Sequence, residues 1–169
     1  MLSESARVTT AAEARFRINE PNSKPRRVKV IALDRASETL VKHLAQLQWS
    51  NASFFTASAF AGEPPGRSFS MPGWLSDLAG RTKDLVDEVD GADLVVMVTM
   101  AGENAEAATL IGEACSLKRV NTTGLILGGA DASDAMLSKT LSQLRPWSLM
   151  LVIASDEDYI EDMLIALRA

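Results

Sequence analysis

The stretch "DLVVMVTMAGENAEAATLIGEACSLKR", residues 93–119, carries the clearest fold signal in the sequence. It begins with an apolar run at 94–98, crosses Gly102 and continues with small and apolar residues at helical spacing. A short apolar run of this kind is typical of a strand buried on both faces, and the segment after the glycine is typical of a helix. Strand, glycine turn and helix form a βα unit, from which α/β proteins are built.

The same order recurs from residue 28 to the end of the chain. Alternation of this kind makes the helices right-handed crossovers between parallel strands. In the first helix, Ser37 can cap the first turn. We therefore expect a three-layer α/β/α sandwich, Rossmann-like, whose mostly parallel five-stranded sheet has the strand order 2-1-3-4-5. The predicted strands are residues 28–33, 52–58, 93–99, 122–129 and 147–155, and the predicted helices are 34–49, 75–92, 103–119, 131–145 and 156–169.

The composition is typical of one globular domain preceded by a polar arm. The chain has 169 residues, of which 47% are hydrophobic and 23% are charged, and this suits a single domain with its own core. We expect residues 1–27 to be a flexible arm and residues 28–169 to be the domain. Residues 1–29 carry a net charge of +4 and the remainder −9. Because the acidic body has no basic stripe, nucleic-acid binding is not expected, and the arm is either a solvated tail or a contact for an acidic partner.

Several functional classes are disfavoured by the sequence. The longest apolar runs are far shorter than the roughly 20 residues of a membrane helix, so no membrane association is expected. Residues 1–27 lack the apolar core of a secretion signal, and a cytoplasmic location is expected. Cys115 is the only cysteine and His43 the only histidine, so neither an internal disulfide nor a Cys/His metal site can form. Cys115 is expected to be a buried, inert thiol, and no catalytic residue is assigned.

The loops at the carboxyl ends of the strands are where a parallel sheet binds ligands. A phosphate there needs backbone amides exposed by glycines and the positive end of a helix dipole. Glu103 and Glu106 instead fall in the predicted first turn of a helix, where the dipole stabilises each carboxylate by about 0.3–1 kcal/mol. They occupy the place of an anion, so the sequence predicts a degenerate phosphate loop. The candidate ligand-binding residues are Asp34, Gly102, Glu103, Asn104, Gly128, Gly129 and Asp131.

A row of acids near the strand ends supports a second interpretation. Hard cations prefer oxygen ligands, so Mg²⁺, Ca²⁺ or a nucleotide bridged by Mg²⁺ is chemically compatible with it. Asp and Glu are also usual at helix starts, which explains the same acids without any ligand. We favour the explanation that these acids are helix-start residues, and we assign no metal ligand or cofactor. The acids are Asp34, Glu103, Asp131, Asp156 and Asp158.

The segment "SAFAGEPPGRSFSMPGW", residues 58–74, breaks the alternation of strands and helices. It holds three prolines and three glycines together with several large apolar residues. Long irregular segments inside compact domains are uncommon and often form lids or binding loops. Phe69, Met71 and Trp74 are therefore candidate contacts for a protein partner. The alternative is that these side chains fold back on the core.

Residues 85–127, "LVDEVDGADLVVMVTMAGENAEAATLIGEACSLKRVNTTGLIL", and residues 147–164, "WSLMLVIASDEDYIEDML", resemble the nucleotide-binding domain of the FtsZ/tubulin family. The resemblance implies that "AGENAEA", residues 101–107, stands where that family has its GGGTGTG-type phosphate loop. Only Gly102 of that glycine run is retained, and the first loop, "LDRASET", has no glycine. The resemblance thus implies the family's scaffold without its phosphate-binding chemistry.

A second resemblance is to response-regulator receiver domains, through "VIALDRASETLVKHLAQL", "ADLVVMVTMAG" and "TGLILGGADASDAML". Thr99 or a neighbour stands where that family has its phosphoacceptor aspartate, and Asp34 stands alone where it has an acidic pair.

Three functional hypotheses follow from the sequence as a whole. The first is a noncatalytic domain that acts through self-association or a protein partner. The second is an enzyme or sensor that binds a nucleotide or small metabolite with a metal at the strand ends, and the third is a pseudo-receiver signalling domain.

Overall fold

The structure is a computed structural model that describes residues 25–58 and 74–169. Within these ranges, no helix is long and apolar enough to cross a bilayer. The elements in chain order are β1 (Val28–Ala32), α1 (Arg35–Leu44), β2 (Ala52–Thr56), β3 (Trp74–Asp77), β4 (Thr82–Asp84), α2 (Leu85–Asp90), β5 (Leu94–Met100), α3 (Ala107–Lys118), β6 (Asn121–Leu127), α4 (Asp134–Leu144), a 3₁₀ turn (Arg145–Trp147), β7 (Met150–Ala154) and α5 (Glu157–Ala166).

Within residues 25–58 and 74–169, the sheet has seven strands in the order β4-β3-β2-β1-β5-β6-β7. β2, β1, β5, β6 and β7 are parallel to their neighbours in this series, and they are the five strands expected from the sequence, in the expected order. The expected number of strands was wrong, because β3 and β4 extend the sheet beyond β2 as antiparallel strands. The mostly parallel α/β architecture is confirmed.

The two additional strands arise in a segment expected to be a helix. In place of the predicted helix 75–92, a tight hairpin joins β3 to β4 and only the short helix α2 follows. The Asp77 carboxylate accepts hydrogen bonds from the backbone N–H groups of Ala79 and Arg81, and Gly80 adopts a φ of +78°. A glycine with positive φ ends a helix rather than continuing it. This turn therefore overrides the helical spacing of the apolar residues.

Two helical layers cover the sheet, and alternate residues of each central strand point into one or the other. Val95 and Met97 of β5 lie in the core under α2, α3 and α4. Val96 and Val98 lie in the core under α1 and α5. All four side chains are fully buried. The strand that opened the sequence analysis is thus the centre of a three-layer α/β/α sandwich.

Basic residues near the start of the domain pair with acids of the body. The Arg27 backbone N–H and guanidinium both donate to the carboxylate of Asp93. Lys29 Nζ lies 2.9 Å from Glu88 Oε2 and 5.4 Å from the centre of the Phe55 ring. Part of the basic charge near the N-terminus is therefore balanced within the domain. Residues 1–24 of the expected arm lie outside the described residues.

We expect Gly112→Ala to destabilise the protein although it lies inside helix α3. Alanine normally improves a helix interior by about 1 kcal/mol relative to glycine. A Cβ at position 112, however, would lie 2.6 Å from Cβ and Cε3 of Trp147. Contacts this short place the cost of the added atom in the upper part of the usual range, roughly 2–3 kcal/mol, so the expected net loss is about 1–2 kcal/mol. Urea denaturation measures it, with Gly91→Ala as the control, since the nearest atom there is 4.0 Å away. Equal stability of Gly112→Ala and wild type would contradict this packing.

Candidate functional site

The candidate residues gather at the carboxyl edge of the central strands. Asp34 follows β1, Gly102 follows β5, and Gly128 follows β6. The turns after β5 and β6 are joined by a hydrogen bond of 2.8 Å from the Ala101 backbone N–H to the Leu127 carbonyl. These positions therefore lie close together along one edge of the sheet. The hydrogen bonds of each residue show which of its polar groups are already bonded within the protein.

Asp34 is buried, with 5% of its surface exposed, and both of its carboxylate oxygens are engaged. Oδ1 accepts a hydrogen bond of 2.7 Å from the Ser37 backbone N–H, and Oδ2 accepts one of 3.1 Å from the Met100 backbone N–H. Asp34 is the N-cap of α1, and the Ser37 hydroxyl completes a capping box. Ser37 is the third residue of the helix rather than its N-cap, and its expected part in capping the first turn is confirmed, because its hydroxyl accepts a hydrogen bond of 3.4 Å from the Asp34 backbone N–H. Asp34 thus joins the ends of β1 and β5.

The turn between β5 and α3, residues 101–106, bonds to helix α4 through its amides. The Gly102 N–H donates to Thr140 Oγ1 at 2.9 Å, and the Ala105 N–H donates to Gln143 Oε1 at 2.8 Å. Gly102 has a φ of +90°, and a Cβ on it would lie 2.5 Å from Cε of Met136. Glycine at this position therefore provides a left-handed conformation and close packing against α4.

The Asn104 side chain adds further hydrogen bonds within this turn and to α4. Its Oδ1 accepts hydrogen bonds from the Glu106 backbone N–H at 3.0 Å and from Gln143 Nε2 at 3.1 Å. The Glu103 N–H donates to the Met100 carbonyl at 3.1 Å. The amides of residues 102, 103, 105 and 106 are thus all bonded to oxygen atoms of the protein itself. Each amide has a single hydrogen to donate, so an anion would have to displace these contacts.

The start of α3 differs from the prediction. The helix begins at Ala107 rather than near Glu103, with Glu106 at the N-cap position and without a side-chain cap hydrogen bond. The expectation that Glu103 and Glu106 lie in the first helical turn was therefore wrong. The positive φ of Gly102 and the bonds to α4 hold residues 101–106 as a turn. Both glutamates are exposed, so their charges still surround the turn.

The residues that follow β6 form a turn beside Met100 and β7. Gly128 has a φ of +70°, and its carbonyl accepts a hydrogen bond of 3.3 Å from the Asp131 N–H. A Cβ at Gly129 would lie 2.4 Å from Cγ2 of Ile153. Both glycines therefore have packing or conformational reasons to be glycine. Asp131 is exposed, and the candidate role of these three residues in binding stays a prediction.

Helix α4 supplies residues that the sequence analysis missed. Met136, Thr140 and Gln143 are spaced i, i+4 and i+7, which places them on one face of the helix. All three contact the β5–α3 turn, as described above. The spacing was visible in the sequence, but a mixed apolar and polar stripe gives no indication of which loop it contacts.

Of the remaining candidate residues, some lie outside the described ranges and the others lie in or beside β3, α3 and α5. Phe69 and Met71 lie outside the described residues, and Trp74 is the first residue of β3. Among residues 25–58 and 74–169, no group of three or more His, Cys, Asp or Glu side chains has the arrangement of a metal site. Asp156 and Asp158 are exposed at the start of α5. Cys115 is buried in α3 with 1% exposure, and burial raises the pKa of its thiol to about 12.

A polar cluster lies where α1 meets the end of β2. Glu38 Oε1 is 2.6 Å from Lys42 Nζ, and Glu38 Oε2 accepts hydrogen bonds from the hydroxyls of Ser58 at 2.7 Å and Thr56 at 3.4 Å. The hydrogen bond from Lys42, followed by that from Ser58, holds the pKa of the Glu38 carboxyl below its ordinary value of 4.5, against the opposing effect of burial. Through this cluster Ser58, which follows β2, is bonded to α1.

We expect Glu38→Gln to change the acid dependence of stability. Because the pKa of Glu38 is lower in the folded than in the unfolded protein, the ionised carboxylate stabilises the fold above about pH 4.5. That contribution is lost as the pH falls below 4.5 and through the folded pKa. Glu38→Gln should therefore be less stable than wild type at pH 7 and should approach it at pH 3. Urea denaturation at both pH values measures the difference, and Glu113→Gln, an exposed position in α3, is the control. A gap that stays constant with pH would contradict the assignment.

Comparison with known proteins gives distant structural similarity alone. No protein-family model and no curated protein matches the sequence. Translation elongation factor SelB of Methanococcus maripaludis in complex with the GTP analogue GppNHp is similar at 13% identity and a TM-score of 0.47, over 85% of this chain and 34% of that one. The apo form of the same factor gives 14% identity and a TM-score of 0.45, over 86% and 34%. The chain spans about a third of the length of these structures. The resemblance to the FtsZ/tubulin family stays a prediction.

Proposed function

We propose that this protein is a noncatalytic, FtsZ-like α/β domain with a degenerate phosphate loop, which acts through contacts with a second copy of itself or with a protein partner. The observation that carries the proposal is the pairing of the β5–α3 turn with α4. Thr140 Oγ1 and Gln143 Oε1 accept the amide hydrogens of Gly102 and Ala105, which a bound phosphate would otherwise receive.

The charge around this turn supports the same conclusion. Glu103 and Glu106 are exposed beside it, and the buried carboxylate of Asp34 lies on the adjoining strand end. Oxygen acceptors and negative charges favour neither phosphate nor carboxylate ligands. An anionic substrate would have to displace two hydrogen bonds and approach three carboxylates. This arrangement supports a structural role for the turn.

A nucleotide screen tests the noncatalytic part of the proposal. The full chain is heated with ATP, ADP, GTP or GDP, each with Mg²⁺, and its unfolding temperature is measured. A ligand at 100 times its dissociation constant adds about 2.7 kcal/mol of stability, which a melting curve resolves readily. We expect no shift. A shift that Glu103→Ala abolishes would instead establish a nucleotide-binding enzyme or sensor that uses a metal at the strand ends.

Sedimentation equilibrium tests the association part. The full chain should form a dimer or larger complex, or should do so with a protein partner, at micromolar concentration. If the segment 58–74 contributes the contact, Met71→Ser and Trp74→Ser should weaken association. A wild-type chain that stays monomeric and binds none of the nucleotides would leave partner binding as the one remaining form of the proposal.

A further inference from the structure

Among the strands that the structure describes, β7 is the outermost on one side of the sheet. Met150–Ala154 pairs with β6 from Thr123↔Met150 to Leu127↔Ala154, and the strand order ends there. No described residue pairs with the other edge of β7. Its outward N–H and C=O groups can therefore accept a further strand.

The side chains of this edge are apolar and unprotected. Residues 148–155, "SLMLVIAS", include no charge and no proline. Leu149, Met150 and Ile153 are 77%, 40% and 47% exposed. Natural proteins usually protect open strand edges with charged residues, proline or a bulge. The opposite edge of this sheet follows that rule, since β4 is Thr82–Asp84 with the sequence Thr-Lys-Asp.

The charges that flank β7 favour a second copy of this chain as the partner of its open edge. Arg145 is exposed on the amino-terminal side of the strand, and Asp156, Glu157 and Asp158 are exposed on its carboxyl-terminal side. In an antiparallel pair of identical strands, the amino-terminal side of each copy faces the carboxyl-terminal side of the other. The basic residue of one copy then lies towards the acids of its partner, at both ends of the strand. A two-fold arrangement of this kind is closed and self-complementary.

We infer that β7 is the self-association edge of this protein, and that two copies pair their β7 strands antiparallel to form one continuous sheet. This inference rests on the self-association named in the proposed function and gives it a surface other than the segment 58–74. Strand pairing satisfies the outward backbone groups, and it buries exposed apolar side chains of this edge, Leu149, Met150 and Ile153, against the β7 strand of the second copy.

The test uses the full chain and two variants matched in exposure. Ile153→Lys places a charge on the edge, while Leu110→Lys places the same charge at an equally exposed position in α3, where Leu110 is 49% exposed. Sedimentation equilibrium over a range of concentrations gives the dissociation constant of each dimer. Ile153→Lys should raise it at least tenfold, and Leu110→Lys should leave it within twofold of wild type. Circular dichroism confirms that both variants are folded.

Charge reversal tests the antiparallel arrangement. Arg145→Glu should raise the dissociation constant, and Arg145→Glu combined with Asp158→Lys should recover most of the loss. A double variant as weak as Arg145→Glu alone would overturn the two-fold arrangement.

Hydrogen exchange separates the remaining outcomes. The amides of residues 150–154 that point away from β6 should become protected as the concentration rises through the dissociation constant. Protection of these amides in a monomer would mean that residues 1–24 or another segment of the same chain covers the edge, and would overturn the inference. A dimer that is unaffected by Ile153→Lys would overturn it too, while leaving the proposed self-association in place. A wild-type monomer at every concentration would overturn both the edge inference and self-association.

Discussion

Asp34→Ala is expected to lower the free energy of unfolding by about 2–4 kcal/mol, among the largest losses from a single exchange in this protein. Two effects contribute. Loss of a helix N-cap costs about 0.5–2 kcal/mol. A buried N–H left without an acceptor costs a further 1–3 kcal/mol, and the Met100 amide would be left in this state. Asp34 as a whole is only 5% exposed, so water does not readily replace its carboxylate.

The chain offers a matched control for this exchange. Asp156 is the N-cap of α5, but it is exposed and its side chain makes no cap hydrogen bond. Asp156→Ala should therefore change stability by less than about 0.5 kcal/mol. Asp34→Asn is expected to fall between the two, because one amide oxygen can accept from Ser37 while the NH₂ group faces the Met100 N–H. Guanidinium denaturation at pH 7 gives all three values. Equal losses for Asp34→Ala and Asp156→Ala would show that Asp34 is not a structural bridge and would reopen its role as a ligand-binding residue.

The parallel core of the fold was predictable because local and tertiary signals agree there. The run at 94–98 is apolar throughout, and the strand it forms is buried on both faces. The segment 75–92 was not predictable in the same way. Its apolar residues have helical spacing, but the Asp77 side chain and Gly80 form a turn that redirects the chain into a hairpin. A side chain that bonds two backbone amides, together with a glycine of positive φ, outweighs the periodic pattern here.

The location of the candidate site was also predictable, but its contacts were not. Strand ends identify the carboxyl edge of a parallel sheet, and Asp34 and Gly102 both lie there. The sequence indicated that acids stand in the place of an anion. The structure adds that the amides of the turn are bonded to Thr140 and Gln143, which lie about 38 residues further along the chain. Contacts between distant segments leave no local pattern, so only the geometry of α4 reveals them.

The double variant Thr140→Val/Gln143→Met is expected to destabilise the protein by about 2–4 kcal/mol, because it removes both acceptors while keeping the size of the side chains. Each amide that loses its acceptor costs about 1–3 kcal/mol, and partial access of water to the turn reduces the sum. Thr39→Val/Gln46→Met makes the same chemical changes at exposed positions in and after α1 and is the control. It should change stability by less than about 0.5 kcal/mol. Thermal and urea denaturation measure both.

The same double variant distinguishes a structural contact from an inhibitory one. If Thr140 and Gln143 merely covered an intact phosphate site, removing their oxygens would free the Gly102 and Ala105 amides, and ATP or GTP with Mg²⁺ would raise the unfolding temperature of the variant. We expect no such gain, because Glu103 and Glu106 remain beside the turn and the amide of Glu106 stays bonded to Asn104. If the double variant loses stability and does not bind nucleotide, the hydrogen bonds from the turn serve to hold α4 against the sheet. Nucleotide binding gained would mean that α4 closes a working site, and the proposal of a noncatalytic domain would then be wrong.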